Sequence, residues 1–170
     1  MPALPLDDKR WGELWSREGP ARNMPELIAH LLEHPEDEEA FGHLNDAACS
    51  DGTTWSAGYA AMPYLVEMAR KLPPAKRWDV LTTIGWIVTA ASPESDVVHI
   101  RIEPYVEEGY HQAIKDSLPL LLETLQCEQT EREFVGLLFT AAALKGHPQL
   151  AAVLANLDAC EHCSGILGWT

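Results

Sequence analysis

The chain has 170 residues, 46% hydrophobic and 22% charged, a globular composition with enough length to bury its own core. Its 26 acidic residues against 12 basic ones give a formal charge of −14 at pH 7. A surface of that sign repels phosphate backbones and argues against unaided nucleic-acid binding.

Four cysteines are too few for a disulfide scaffold. The opening MPALPLDDKR lacks the apolar core of a signal peptide, and the uncharged run between Asp79 and Glu94 is too short and too rich in threonine to span a bilayer. These features lead us to expect a cytoplasmic protein that contacts no membrane, folded as a single domain over residues 1–170.

In chain order, residues 7–18 read as a short helix with Trp11, Leu14 and Trp15 on one side, closed by Gly19-Pro20. Asn23-Met24-Pro25-Glu26 is a helix start with a capping residue, an early proline and an early acid. Leu27, Ile28, Leu31 and Leu32 form its stripe, and His34-Pro35 stops it. The acids Glu36 to Glu39 suit the N-terminus of a second helix, whose apolar positions are Ala40, Phe41, Leu44, Ala47 and Ala48. Asp51-Gly52 predicts a turn, with Thr53 or Thr54 capping the segment after it.

Pro63 is expected to begin or kink the next helix, which Pro73-Pro74 closes. Residues 76–91 are apolar over much of their circumference, the pattern of a central helix covered on several sides. Val98, Ile100 and Ile102 alternate with charged and polar residues and predict a short strand. Helical periodicity resumes near Tyr110. Thr130 caps a further helix carrying Phe134, Leu137, Leu138, Ala141 and Leu144, and Gly146-His147-Pro148 turns into the last one.

Pro25, Pro63, Pro119 and Pro148 each open a Pro-x-Leu segment ahead of an apolar stripe, at spacings of 38, 56 and 29 residues. Degenerate repeats of about 40 residues built from two helices predict a short α-solenoid of HEAT-like antiparallel helix pairs. The fold class is therefore all-α, with an irregular insertion around residues 92–110. A plain orthogonal helical bundle is the alternative.

Three stretches carry a resemblance: His43 to Met68, Tyr110-His111-Gln112-Ala113 with Leu118-Pro119, and Ala142 to His147 through Cys160-Glu161-His162-Cys163. They resemble the bacterial HEAT-repeat (armadillo-like) domain proteins of unknown function. That pattern has a small-residue helix running into Ala-Pro-x-Leu, a later Ala-x-x-Gly, and a Cys-x-x-Cys near the C-terminus. Here Met62 and Leu118 stand before the prolines. The resemblance implies an all-helical repeat fold and brings no catalytic residues with it.

Several positions invite chemistry. His30-Leu31-Leu32-Glu33-His34 matches the His-x-x-Glu-His arrangement of zinc peptidases, which sets two histidines and a carboxylate on one helical face. Cys160 and Cys163 have the spacing of two zinc ligands or of a redox pair, or are free thiols. No P-loop, dinucleotide or Gly-x-Ser-x-Gly fingerprint is present.

Trp55 and Tyr59 share a helical face, as groove filling or as a ligand platform. The insertion, with Glu103, Tyr105 and Tyr110, is the expected place for a specific contact, because insertions in solenoids map to one face. From Leu31 to Asp51 there are seven carboxylates and no lysine or arginine, which reads as a solvated face or as a docking surface for a basic partner.

The expected function is a non-enzymatic, acidic protein-interaction domain without a cofactor. Its partner would be a protein, a basic one among the candidates, in an immunity-like or regulatory role, or a second copy of the chain. The alternative is a metal- or thiol-dependent enzyme, using zinc at His30, Glu33 and His34 or working through Cys160 and Cys163. Lesion recognition on DNA, as in some HEAT-fold glycosylases, needs a basic face that this charge opposes.

Overall fold

The computed structural model describes residues 3–50, 53–92 and 101–159. Among these residues the chain is mostly helical, with helices packed on helices. The seven α-helices among them are α1 (Met24–Glu33), α2 (Glu38–Ala48), α3 (Ser56–Lys71), α4 (Trp78–Ala90), α5 (Pro104–Thr124), α6 (Glu131–Leu144) and α7 (Pro148–Ala159). Two antiparallel pairs of two-residue strands join them: β1 (Trp15–Ser16) with β2 (Gly19–Pro20), and β3 (Cys49–Ser50) with β4 (Thr53–Thr54).

The helix expected over 7–18 is instead a single 3-10 turn, Lys9–Glu13, followed by the β1–β2 hairpin. The chain turns extended at Leu14, and Gly19 in β2 has a φ of 118°, a conformation that ordinary side chains resist. Trp11 and Leu14 face the core, while Trp15 stays 57% exposed on the hairpin. Asp8 caps the turn and accepts from the Arg10 side chain and backbone, which pulls its carboxyl down to about 2. The Trp11 indole N–H donates to the Pro5 carbonyl at 2.9 Å, and the Tyr64 hydroxyl donates to the Leu4 carbonyl at 2.6 Å. The first bond folds the N-terminal segment on itself and the second fastens it to α3.

α1 starts at its early proline and ends before Pro35, as its punctuation requires, although Asn23 makes no side-chain capping bond. The Asp37 carboxylate caps α2 by accepting from the Ala40 N–H at 3.0 Å. Pro63, expected to begin or kink a helix, does not begin one: α3 starts at Ser56 and runs on through it to Lys71. An interior proline has no N–H for the carbonyl four residues back and costs about 3 kcal/mol. Burial offsets that cost, because Tyr59, Met62, Leu65, Val66 and Met68 are all sealed in the core. Thr53 and Thr54 do not cap α3; Trp55 holds that position without a side-chain bond. The small residues at its start let α3 reach the end of α2, where a Cβ on Gly58 would lie 2.6 Å from the Ala48 carbonyl oxygen.

α4 is the central helix. It packs on α3, α5, α6 and α7 and touches β3 and β4, as its wide apolar surface predicts. The α4–α6 approach is close enough that a Cβ on Gly85 would meet the Thr140 hydroxyl at 2.7 Å. That hydroxyl is shared between the Leu81 carbonyl of α4 and the Gly136 carbonyl of α6, at 3.1 and 2.9 Å. Arg77, 7% exposed, donates from Nε to the Leu72 carbonyl and from Nη1 to Glu123, tying the α3–α4 turn to α5.

α5 begins at Pro104, earlier than the expected resumption near Tyr110, so Tyr105 and Tyr110 are helical. Of the predicted strand, Val98 and Ile100 lie outside the described residues, and Ile102 is not in a strand. Pro119 lies inside α5, so only Pro25 and Pro148 of the four Pro-x-Leu prolines stand at helix starts. α6 opens with a full capping box between Thr130 and Glu133. Of its expected apolar positions Leu137 and Leu144 are buried, Leu138 and Ala141 are half-buried and Phe134 is exposed, while Phe139, Thr140 and Ala143 widen the buried side. No helix of the described residues is long and apolar enough to cross a membrane.

Candidate functional site

The aromatic candidates separate into two groups. Tyr59 and Tyr110 meet edge to face with ring centroids 5.4 Å apart, joining α3 to α5, and are 1% and 3% exposed. Burial pushes the Tyr59 phenol up to about 12 and the Tyr110 phenol further in the same direction. Trp55 is half-buried at the start of α3, and its indole N–H is shielded from solvent with no hydrogen-bond partner. Glu103 occupies the N-cap position of α5 without a side-chain capping bond, and Tyr105 lies beneath the Arg10 guanidinium at 4.7 Å. Tyr110 also borders a cleft of about 320 Å³ between the end of α4, α5 and the α6–α7 turn.

At the end of α1 the His30 and His34 rings stand 5.0 Å apart, and the His30 Nε2 lies 2.8 Å from an Asp37 carboxylate oxygen. The Asp37 carboxyl is held below the ordinary range, first by the Ala40 N–H and then by His30. Among the described residues no group of three or more His, Cys, Asp or Glu side chains is arranged to hold a metal ion. Cys160 and Cys163 lie outside the described residues. Cys49 is buried, its sulfur accepts from the Thr54 hydroxyl at 3.2 Å, and burial raises its thiol pKa.

Two larger grooves open on the surface. One of about 580 Å³, between the β1–β2 hairpin, α1 and α2, mixes signs: Arg17, Glu18, His43 and Asp46 all line it. The other, of about 430 Å³, is formed where the first turns of α2, α4 and α6 come together. Glu36 and Glu38 enter it from the α2 end, Asp79 from α4 and Glu133 from α6, with Lys76 as a basic residue at the edge. Phe41 and Trp78, both half-buried, lie among these charges.

Glu38, Asp79 and Glu133 have a local reason to stand where they do, because a carboxylate in the first turn of a helix is favoured by the aligned peptide dipoles. Asp79 stands among charges of both signs. Its carboxyl is raised above the ordinary value by loss of surrounding water, with Arg132 opposing the rise and Glu38 and Glu133 adding to it. The Arg132 guanidinium also lies over the Trp78 ring at 5.9 Å.

The acidic stretch from Leu31 to Asp51 reveals Glu36 and Glu38, about half of this rim. Asp79, Glu133, Trp78 and Gly42 are missed, although first-turn acids in successive helix starts are a signal that finds Asp79 and Glu133. No family model, curated protein or solved structure matches the chain.

Proposed function

We propose that this chain is a non-enzymatic helical-repeat domain that binds a protein partner through positive charge on that partner. The observation that carries this reading is the excess of acid around one groove, where Glu36, Glu38, Asp79 and Glu133 from three helix ends face the single lysine Lys76, with Phe41 and Trp78 between them. Such a rim attracts lysine- and arginine-bearing surfaces, repels acidic ones and speeds encounter at low ionic strength.

The repeat part of the proposal is a short HEAT-like stack, with α1–α2, α3–α4 and α5–α6 as successive pairs. Its support is that alternate helices pack together: α1 on α3, α3 on α5 and α4 on α6. In such a stack the second helices of neighbouring pairs start at the same edge, which is where the acids gather.

The test compares two variants of equal charge. One carries Glu36→Gln, Glu38→Gln, Asp79→Asn and Glu133→Gln; the other neutralises the exposed Glu26, Glu107, Glu108 and Glu128 in the same way. Binding of an arginine–serine peptide is measured by calorimetry for both. The groove variant is expected to lose about tenfold or more in affinity, since each lost contact is worth several tenths to about 1 kcal/mol. The control is expected to lose far less. Equal losses would reduce the effect to net charge and overturn the proposal.

A further inference from the structure

From His147 to Leu157 the chain has no Asp, Glu, Lys or Arg, although 22% of all its residues are charged. The similar run from Val80 to Ala90 forms the central helix α4, and burial against its neighbours accounts for it. Burial accounts for only one side of α7. Ala151 is sealed, and Leu154 and Ala155 pack with it against Phe139, Ala142 and Ala143. Leu150 and Val153, three residues apart and so on one face, are 52% and 58% exposed. Among the described residues six large apolar side chains are strongly exposed, and these are the two that stand on the same helix. Their exposed neighbours are Gln149, Ala152 and Asn156, and the Asn156 amide donates back to the Ala152 carbonyl at 2.9 Å.

We infer that this face of α7 is where a second copy of the chain docks, α7 against α7 about a two-fold axis. Charge selects the occupant. Two chains of −14 repel each other through most of their surfaces, and contact is least opposed where neither brings a charge. A two-fold contact sets the same patch against itself, so Leu150 and Val153 of both copies leave water together with no like charges opposed. An axis perpendicular to the helices also makes them antiparallel, with the positive N-terminal end of each beside the negative C-terminal end of the other. A basic partner is drawn instead to the carboxylate groove, on which the dimer does not depend. The patch is small, which places the dimer in the weak, concentration-dependent class.

Sedimentation velocity of the full chain across the micromolar range reads this association. The average mass is expected to rise from one chain toward two with concentration. Added salt is expected to raise it further, because salt screens the repulsion between two acidic chains and leaves apolar contact in place. Val153→Glu sets like charges within the contact and is expected to weaken dimerisation by about tenfold or more. Leu150→Gln is expected to weaken it as well, through lost apolar burial and without added charge. Leu122→Glu adds the same charge at an exposed leucine of α5 and is expected to leave dimerisation within about twofold.

A wild-type chain that stays monomeric at every concentration and salt would overturn the inference, and would leave this face to residues 160–170 or to an unlike partner. A dimer that Val153→Glu and Leu150→Gln both leave intact would overturn it too, because its contact then lies elsewhere. Equal weakening by Leu122→Glu and Val153→Glu would reduce the effect to net charge, with the same consequence.

Discussion

At Tyr59 and Tyr110 two phenols share a buried contact, and their ionisation is coupled to the integrity of the α3–α5 packing. Both hold their protons to higher pH in the folded chain than in the unfolded one, chiefly because burial penalises the phenolate. The folded state therefore binds more protons between the two ranges, and stability falls as pH rises past the unfolded value near 10. Below that pH the contribution is fully present. We predict that the phenolate absorbance of these two residues appears only together with loss of the helical circular dichroism signal, between about pH 10 and 12. Phenolate formation with the helical signal intact, absent from a Tyr59→Phe variant, would contradict this assignment. That Tyr59 has an aromatic neighbour inside the core cannot be read from its spacing to Trp55, because the neighbour, Tyr110, comes from α5, a helix distant in sequence.

The elements differ in how openly the sequence announces them. Pro25, the acids before α2, Thr130 and Pro148 all mark helix starts, because each acts on the first turn, where backbone N–H groups lack partners. Pro104 is an equally good signal for α5, whereas apolar periodicity alone places the start later, near Tyr110. Pro63 and Pro119 mislead for the opposite reason, since core burial on both sides overrides a local penalty and keeps the helix continuous.

The N-terminal turn and hairpin are hidden because Trp11 and Leu14 have helical spacing whichever way the chain bends at Gly19. Thr130 provides a check at this scale. Its hydroxyl caps the Glu133 N–H while the Glu133 carboxylate returns to the Thr130 backbone N–H. Thr130→Ala is expected to lower stability by about 1 kcal/mol in urea denaturation, with an unchanged slope. A change within about 0.2 kcal/mol would show that the capping box contributes nothing measurable.

For the whole molecule, the helices decide which of the many carboxylates act together. The acid-rich stretch from Leu31 to Asp51 supplies Glu36 and Glu38, but Asp79 and Glu133 reach the same groove only because α4 packs on α6 and α2 is tied to α4. The Thr83 hydroxyl, which donates to the Asn45 side-chain oxygen at 2.9 Å, is one such tie. A linear reading of charge finds the first two acids and misses their convergence.

The most direct measurement is a map of backbone amide chemical shifts in the full chain as an arginine–serine peptide is titrated at low salt. A partner-binding groove predicts shifts concentrated at Glu36–Gly42, Lys76–Val80 and Glu131–Glu133, fading as salt shortens the screening length toward about 10 Å or less. Shifts spread evenly over the acidic surface, or centred on Glu103–Glu108 with the groove silent, would contradict it.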